Sequence, residues 1–111
     1  METQDPFHYE VEQSRVDIRG NPVTTIKCHG KLIAGTADKI KEAVKPLLPQ
    51  GGRIVVDLGD VTFLDSSGLG ALVGLKVSAL NQGLCILEFA NMTPRVLDLL
   101  RITKLMDLFS S

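Results

Sequence analysis

From Val23 to Gly30 apolar and polar residues alternate, with Ile26 and Cys28 on one face and Thr25, Lys27 and His29 on the other. That is the period of a half-buried strand. Tyr9-Glu10-Val11 and Val16-Asp17-Ile18 alternate in the same way, and Gly20-Asn21-Pro22 is a turn signal, so this region reads as a hairpin. The period then lengthens. Thr36 is the expected N-cap of a helix over Ala37 to about Leu48, in which Ile40, Val44, Leu47 and Leu48 form one apolar stripe. Asp38, Lys39, Lys41, Glu42 and Lys45 take the wet face, and Pro49-Gln50-Gly51-Gly52 ends the element.

Arg53 to Leu58 is a nearly unbroken apolar run, the pattern of a strand covered on both faces. A second helix is expected from about Ser67 to Asn81, closed by Gly83, with Leu69, Leu72, Val73 and Leu80 as its core stripe. Lys76 falls inside that stripe, where a lysine is expected to snorkel its ammonium out to water. Leu84 to Phe89 reads as the next strand. Thr93-Pro94 then supplies a cap and a proline at the first helical position of a helix to about Arg101. Lys104 to Phe109 forms a short helical turn or strand. A leading hairpin followed by strand–helix repeats specifies an α/β domain with a mixed, mostly parallel sheet. Residues 1–7 read as a flexible tail and 8–111 as one domain, and His8 is read as belonging to the loose tail.

Composition narrows the function classes. The 111 residues are 44% hydrophobic and 23% charged with a net charge of −1, ordinary values for one globular domain. Cations are scattered rather than gathered in a stripe, which argues against nucleic acid. No apolar run approaches the roughly 20 residues of a membrane span. The acidic, polar start Met1-Glu2-Thr3-Gln4-Asp5-Pro6 is unlike a signal peptide. Cys28 and Cys85 lie in apolar strand-like runs and read as reduced core thiols, the state expected in the cytoplasm. Two cysteines and two histidines without ligand spacing offer no zinc site, and no cofactor is expected.

The informative chemistry sits at Phe63-Leu64-Asp65-Ser66-Ser67-Gly68-Leu69-Gly70, where an extended segment becomes a helix. Unpaired N–H groups and the macrodipole favour an anion at a helix start. Asp65, Ser66 and Ser67 are three candidate caps in a row where one suffices, and the apolar Phe63-Leu64 pair is expected to anchor the loop. Asp65 has two readings: it accepts backbone N–H bonds in the loop, or it orients the Ser66 hydroxyl or helps remove its proton when a kinase is bound. Gly68, Gly70 and Gly74 allow two as well, tight helix–sheet packing or close approach of a partner. They also half match a dinucleotide fingerprint, but the third glycine falls one position late and no second βαβ half exists.

The string from Val55 to Leu75, VVDLGDVTFLDSSGLGALVGL, resembles the bacterial anti-sigma factor antagonists of the STAS-domain family. The resemblance spans roughly Tyr9 to Phe109 and implies the same strand–helix architecture, with helices largely on one side of the sheet. In that family the first serine of the Asp-Ser-Ser-Gly motif is phosphorylated by a partner kinase; here it is Ser66. The resemblance implies a non-enzymatic regulator that binds an anti-sigma factor with serine-kinase activity and so releases a sigma factor. Phosphate on Ser66 switches it off, and a serine phosphatase is the implied antagonist of that kinase. The implied partner surface comprises Asp65, Ser66, Ser67, Gly68, Leu69 and Gly70. Relatives commonly carry Gly-Glu-Leu-Asp ahead of the first helix, whereas this chain has Gly30-Lys31-Leu32-Ile33, without the acidic pair.

Two alternatives compete. In one the domain is a scaffold or sensor module in another signalling complex, and Ser66 is only a cap. In the other Ser66 or Ser67 is a hydrolase nucleophile, which needs a base with its own orienting group. Only His8 and His29 are available, and His29 is placed on the outward face of a strand.

Overall fold

A computed structural model describes residues 7–14 and 16–110. Four strands, β1 (Phe7–Ser14), β2 (Val23–Leu32), β3 (Gly52–Leu64) and β4 (Cys85–Ala90), form one sheet in the order β1-β2-β3-β4. β1 runs antiparallel to β2, and the β2–β3 and β3–β4 pairs are parallel, so the expected mixed sheet is present. Helices α1 (Ala37–Val44), α2 (Ser66–Gln82), α3 (Pro94–Ile102) and α4 (Met106–Ser110) follow the strands.

The core lies on one face of this sheet. Ile26, Leu32, Ile54, Val56, Leu58, Leu87 and Phe89 meet Ile40, Val44, Leu72, Leu75, Val96, Leu100 and Phe109 from the helices, and all are buried. Phe89 and Phe109 stack with ring centroids 4.6 Å apart, which ties α4 to the sheet. The opposite face is open and polar, not covered as the apolar run in β3 implied. Val55 there is only half-buried, between its register partners Thr25 and Glu88. A β-branched residue packs well on a pleated surface without a helix above it, so the run overstated the cover.

Four boundaries differ from the sequence reading, each for a local reason. β1 begins at Phe7 and includes His8, both read above as tail: the Phe7 side chain is 0% exposed on the core face and His8 pairs with His29; residues 1–6 lie outside the described set. Val16-Asp17-Ile18 is not strand. The Asp17 carboxylate accepts from the Arg19 and Asn21 amides and holds a turn, leaving Ile18 in solvent. α1 stops at Val44 and passes into a 3₁₀ segment, Lys45–Gln50, because Pro46 and Pro49 cannot donate the bonds a continued α-helix requires.

β3 is longer than expected, running on through Gly59 to Leu64. Val23 pairs with Arg53 and Leu32 with Leu64, so β3 covers the same span with two more residues than β2 and takes them up in irregularities of register. Its buried positions become Leu58, Val61 and Leu64, at spacing three, which disguises a strand.

Candidate functional site

β2 and β3 both deliver their chains to the same end of the sheet, and β3 turns there directly into α2. Asp65 is the N-cap, with extended backbone, and its Oδ1 accepts from the Gly68 amide at 2.9 Å. Its Oδ2 accepts from the Ala34 amide at 3.3 Å, across to the β2–α1 loop. The Asp65 amide donates to the Leu32 carbonyl. One carboxylate therefore caps a helix and pins a neighbouring loop. Of its two readings, the geometry supports loop-holding, because both oxygens are engaged with backbone N–H groups.

Gly68 explains why this motif needs glycine. A Cβ built there would lie 2.1 Å from the Leu32 carbonyl oxygen and 2.9 Å from a Leu64 methyl. The start of α2 thus rests on the ends of β2 and β3 at backbone contact distance. Gly70 and Gly74 are different, since a Cβ at either would meet nothing within 4 Å. Tight packing accounts for the first glycine and not for the other two.

The six residues singled out from the sequence divide by burial. Ser66 and Ser67, the first two residues of α2, are exposed, as is Gly70; Gly68 and Leu69 are buried beneath them and Asp65 is half-buried. Two hydroxyls therefore stand in solvent at a helix N-terminus on a rigid support. Leu64 is the buried anchor expected of the Phe63-Leu64 pair, but Phe63 is 41% exposed, with the Arg95 guanidinium 5.8 Å from its ring centroid. Sequence spacing alone does not bring Arg95, at the start of α3, to this ring.

Other expectations also shift. Thr36 occupies the N-cap position of α1 but makes no cap bond; its hydroxyl accepts from the Ile33 amide and donates to the Lys31 carbonyl at 2.7 Å. It closes the β2–α1 loop that Asp65 pins. Lys76 does not snorkel. It is 3% exposed, and its Nζ donates to the Leu87 carbonyl at 2.6 Å. Leu80, expected in the core, is 56% exposed, while Leu75 and Ala79 take its place on the buried stripe.

The hollow of about 350 Å³ on the open face is lined by Glu10, Lys27, Cys28, His29, Asp57, Gly59, Asp60 and Asn91 and does not include the serines. Within it His29 directs Nδ1 at Asp60, 2.8 Å away, and Nε2 at Glu10, 3.4 Å away, and stacks on His8 of β1. His29 does lie on the outward strand face, with both ring nitrogens turned to carboxylates. Burial pushes the Cys28 thiol up to about 12, and desolvation also raises the half-buried Cys85, against the opposing charge of Lys76; both are free thiols. No described helix is long and apolar enough to cross a membrane.

A mixed, mostly parallel sheet with helices on one face and a capped Asp-Ser-Ser-Gly turn at the end of its interior strand β3 defines a small α/β domain. The family model for the STAS domain matches residues 14–110, and the chain belongs to that family. The anti-sigma-B factor antagonist of Bacillus subtilis is 32% identical over 102 residues, covering 92% of this chain and 87% of the relative. An anti-sigma factor antagonist from Mycobacterium paratuberculosis superposes with a TM-score of 0.72 at 21% identity, over 99% of this chain and 88% of that one. The phosphorylated form of the Bacillus cell fate determinant SpoIIAA gives 0.65 at 18% identity, over 91% and 87%. The last two share the fold.

Proposed function

We propose that this protein is an anti-sigma factor antagonist, which binds an anti-sigma factor with serine-kinase activity and is switched off when that partner phosphorylates Ser66. The observation that carries the reading is the exposed Ser66 hydroxyl at the first position of α2, on a turn held by Asp65 and Gly68. A relative named for anti-sigma-B antagonism and a fold relative solved in a phosphorylated form support it. On this reading the chain binds and is modified rather than catalysing, in the cytoplasm, and a serine phosphatase restores it.

The switch follows from charge. Phosphate adds about −1.5 to −2 charges and three acceptor oxygens. Beside a helix N-terminus it gains roughly 0.3–1 kcal/mol from the dipole, so the domain keeps its fold. A partner docked over Ser66, Ser67 and Gly70 must instead bury that dianion, and about 2.7 kcal/mol of mismatch already lowers affinity about a hundredfold. Asp65, Gly68 and Leu69 support this surface from below.

Mass spectrometry after incubation with the anti-sigma factor and Mg-ATP tests the assignment on wild type, Ser66→Ala and Ser67→Ala. Phosphate on wild type and Ser67→Ala, and none on Ser66→Ala, is the expected result. Label that survives Ser66→Ala and disappears in Ser67→Ala would overturn it.

A further inference from the structure

Phe63 is a large aromatic side chain exposed within three residues of Ser66, and two cations flank it. Lys31 is its register partner on β2, and both lie one residue before the buried pair Leu32 and Leu64. They therefore lie on the side of the sheet away from the core, on adjacent strands about 4.8 Å apart. Arg95 reaches the same ring from the first turn of α3. Both cations are exposed, and neither forms an ion pair with a described residue, whereas Lys27, Lys41, Arg53 and Arg101 each do. The carboxylates of Asp60 and Asp98 are already engaged by His29 and Arg101.

An unpaired arginine over an exposed ring is the residue chemistry enriched at interface anchors. A guanidinium above a ring keeps N–H donors at its rim, so a carboxylate can bind it without breaking the stack. Three residues of extended chain also place Ser66 within about 11 Å of Phe63, near one Debye length. We infer that Lys31, Phe63 and Arg95 form a docking patch beside Ser66 that takes an acidic segment of the anti-sigma factor, with carboxylates on the two cations and an apolar side chain against the ring. This inference rests on the function proposed above. It also adds to the switch, because a phosphate at Ser66 supplies about −2 charges beside a patch of two positive ones.

The test uses the anti-sigma factors of the source organism, purified singly and titrated calorimetrically into the intact protein. Lys31→Glu, Phe63→Ala and Arg95→Glu are each expected to weaken binding about tenfold, and the double charge reversal more than either single reversal. Urea midpoints should stay at the wild-type value; Lys31→Gln and Arg95→Gln serve if a reversed charge perturbs folding. Added salt should weaken the wild-type complex more steeply than that of the double variant. Wild-type affinity in the double variant would overturn the inference and leave the proposed function standing. Failure of every anti-sigma factor to bind wild type would overturn both. A wild type that sediments as a dimer, with a monomeric double variant, would assign the patch to a second copy and overturn the inference as well.

Discussion

Two aspartates do the same mechanical work at different places, and their surroundings separate structure from function. Asp17 accepts from the Arg19 and Asn21 amides and from the Arg53 guanidinium at 3.2 Å, and Arg53 also binds Glu88. The Asn21 amide above all, then the Arg19 amide and the guanidinium, hold the Asp17 carboxyl below its usual value, against an opposing effect of desolvation. Asp65 also bridges two segments, but through backbone amides alone, and the side chains that follow it are two exposed hydroxyls. The first clamp is closed by a cation and shows no unspent chemistry. The second holds its backbone and leaves two hydroxyls exposed to solvent, as the proposed function requires of Ser66.

The sharpest way to break the comparison is to attack what holds the second clamp. Gly68→Ala puts a methyl into the Leu32 carbonyl, and urea melts should show a loss of more than about 3 kcal/mol or no folded protein. Gly70→Ala on the same helix should instead gain up to about 1 kcal/mol, since its Cβ meets open space and alanine favours helix. Equal effects at the two glycines would mean that α2 does not rest on β2 as described.

Asp65→Ala removes the cap and frees the Ala34 amide, at an expected loss of about 1–2 kcal/mol in the same melts. Ser66→Asp, by contrast, should change stability by no more than about 1 kcal/mol, because the new charge is exposed and lies at a helix N-terminus. A loss beyond about 3 kcal/mol would make Ser66 a structural cap. The Asp17 clamp is tested by pH. Its carboxyl is lowered from 3.8, so its contribution is present in full above that value and is lost as pH falls through the lowered one. The urea midpoint followed into acid should therefore decline less for Asp17→Asn than for wild type, and parallel declines would remove Asp17 from the acid limb.

Much of this was legible in the residues. Thr93 and Pro94 announced α3, and Thr93 does accept from the Val96 amide; Gly83 announced the end of α2 and adopts φ +67° there. Each signal is local, carried by one or two residues whose backbone preference is strong wherever they occur. The Asp-Ser-Ser-Gly turn was legible for the same reason, since cap residues act on amides two or three positions away.

What the chain alone determined, then, was the order of the main elements, the inward face of β2, and the place of the serines at the start of α2. Periodicity found the buried stripe of α1, but only the tertiary structure decided which residues of α2 lie against the sheet. Periodicity put Leu80 inside and gave Lys76 a path to water, and packing reversed both. α2 is apolar nearly all round, so its sequence pattern scarcely selects a face. Tertiary contact also separated Gly68 from Gly70 and Gly74, three glycines the sequence could not rank. It brought Arg95 onto Phe63 from another strand–helix unit. Those outcomes depend on distances between segments remote in the chain, which no local preference encodes.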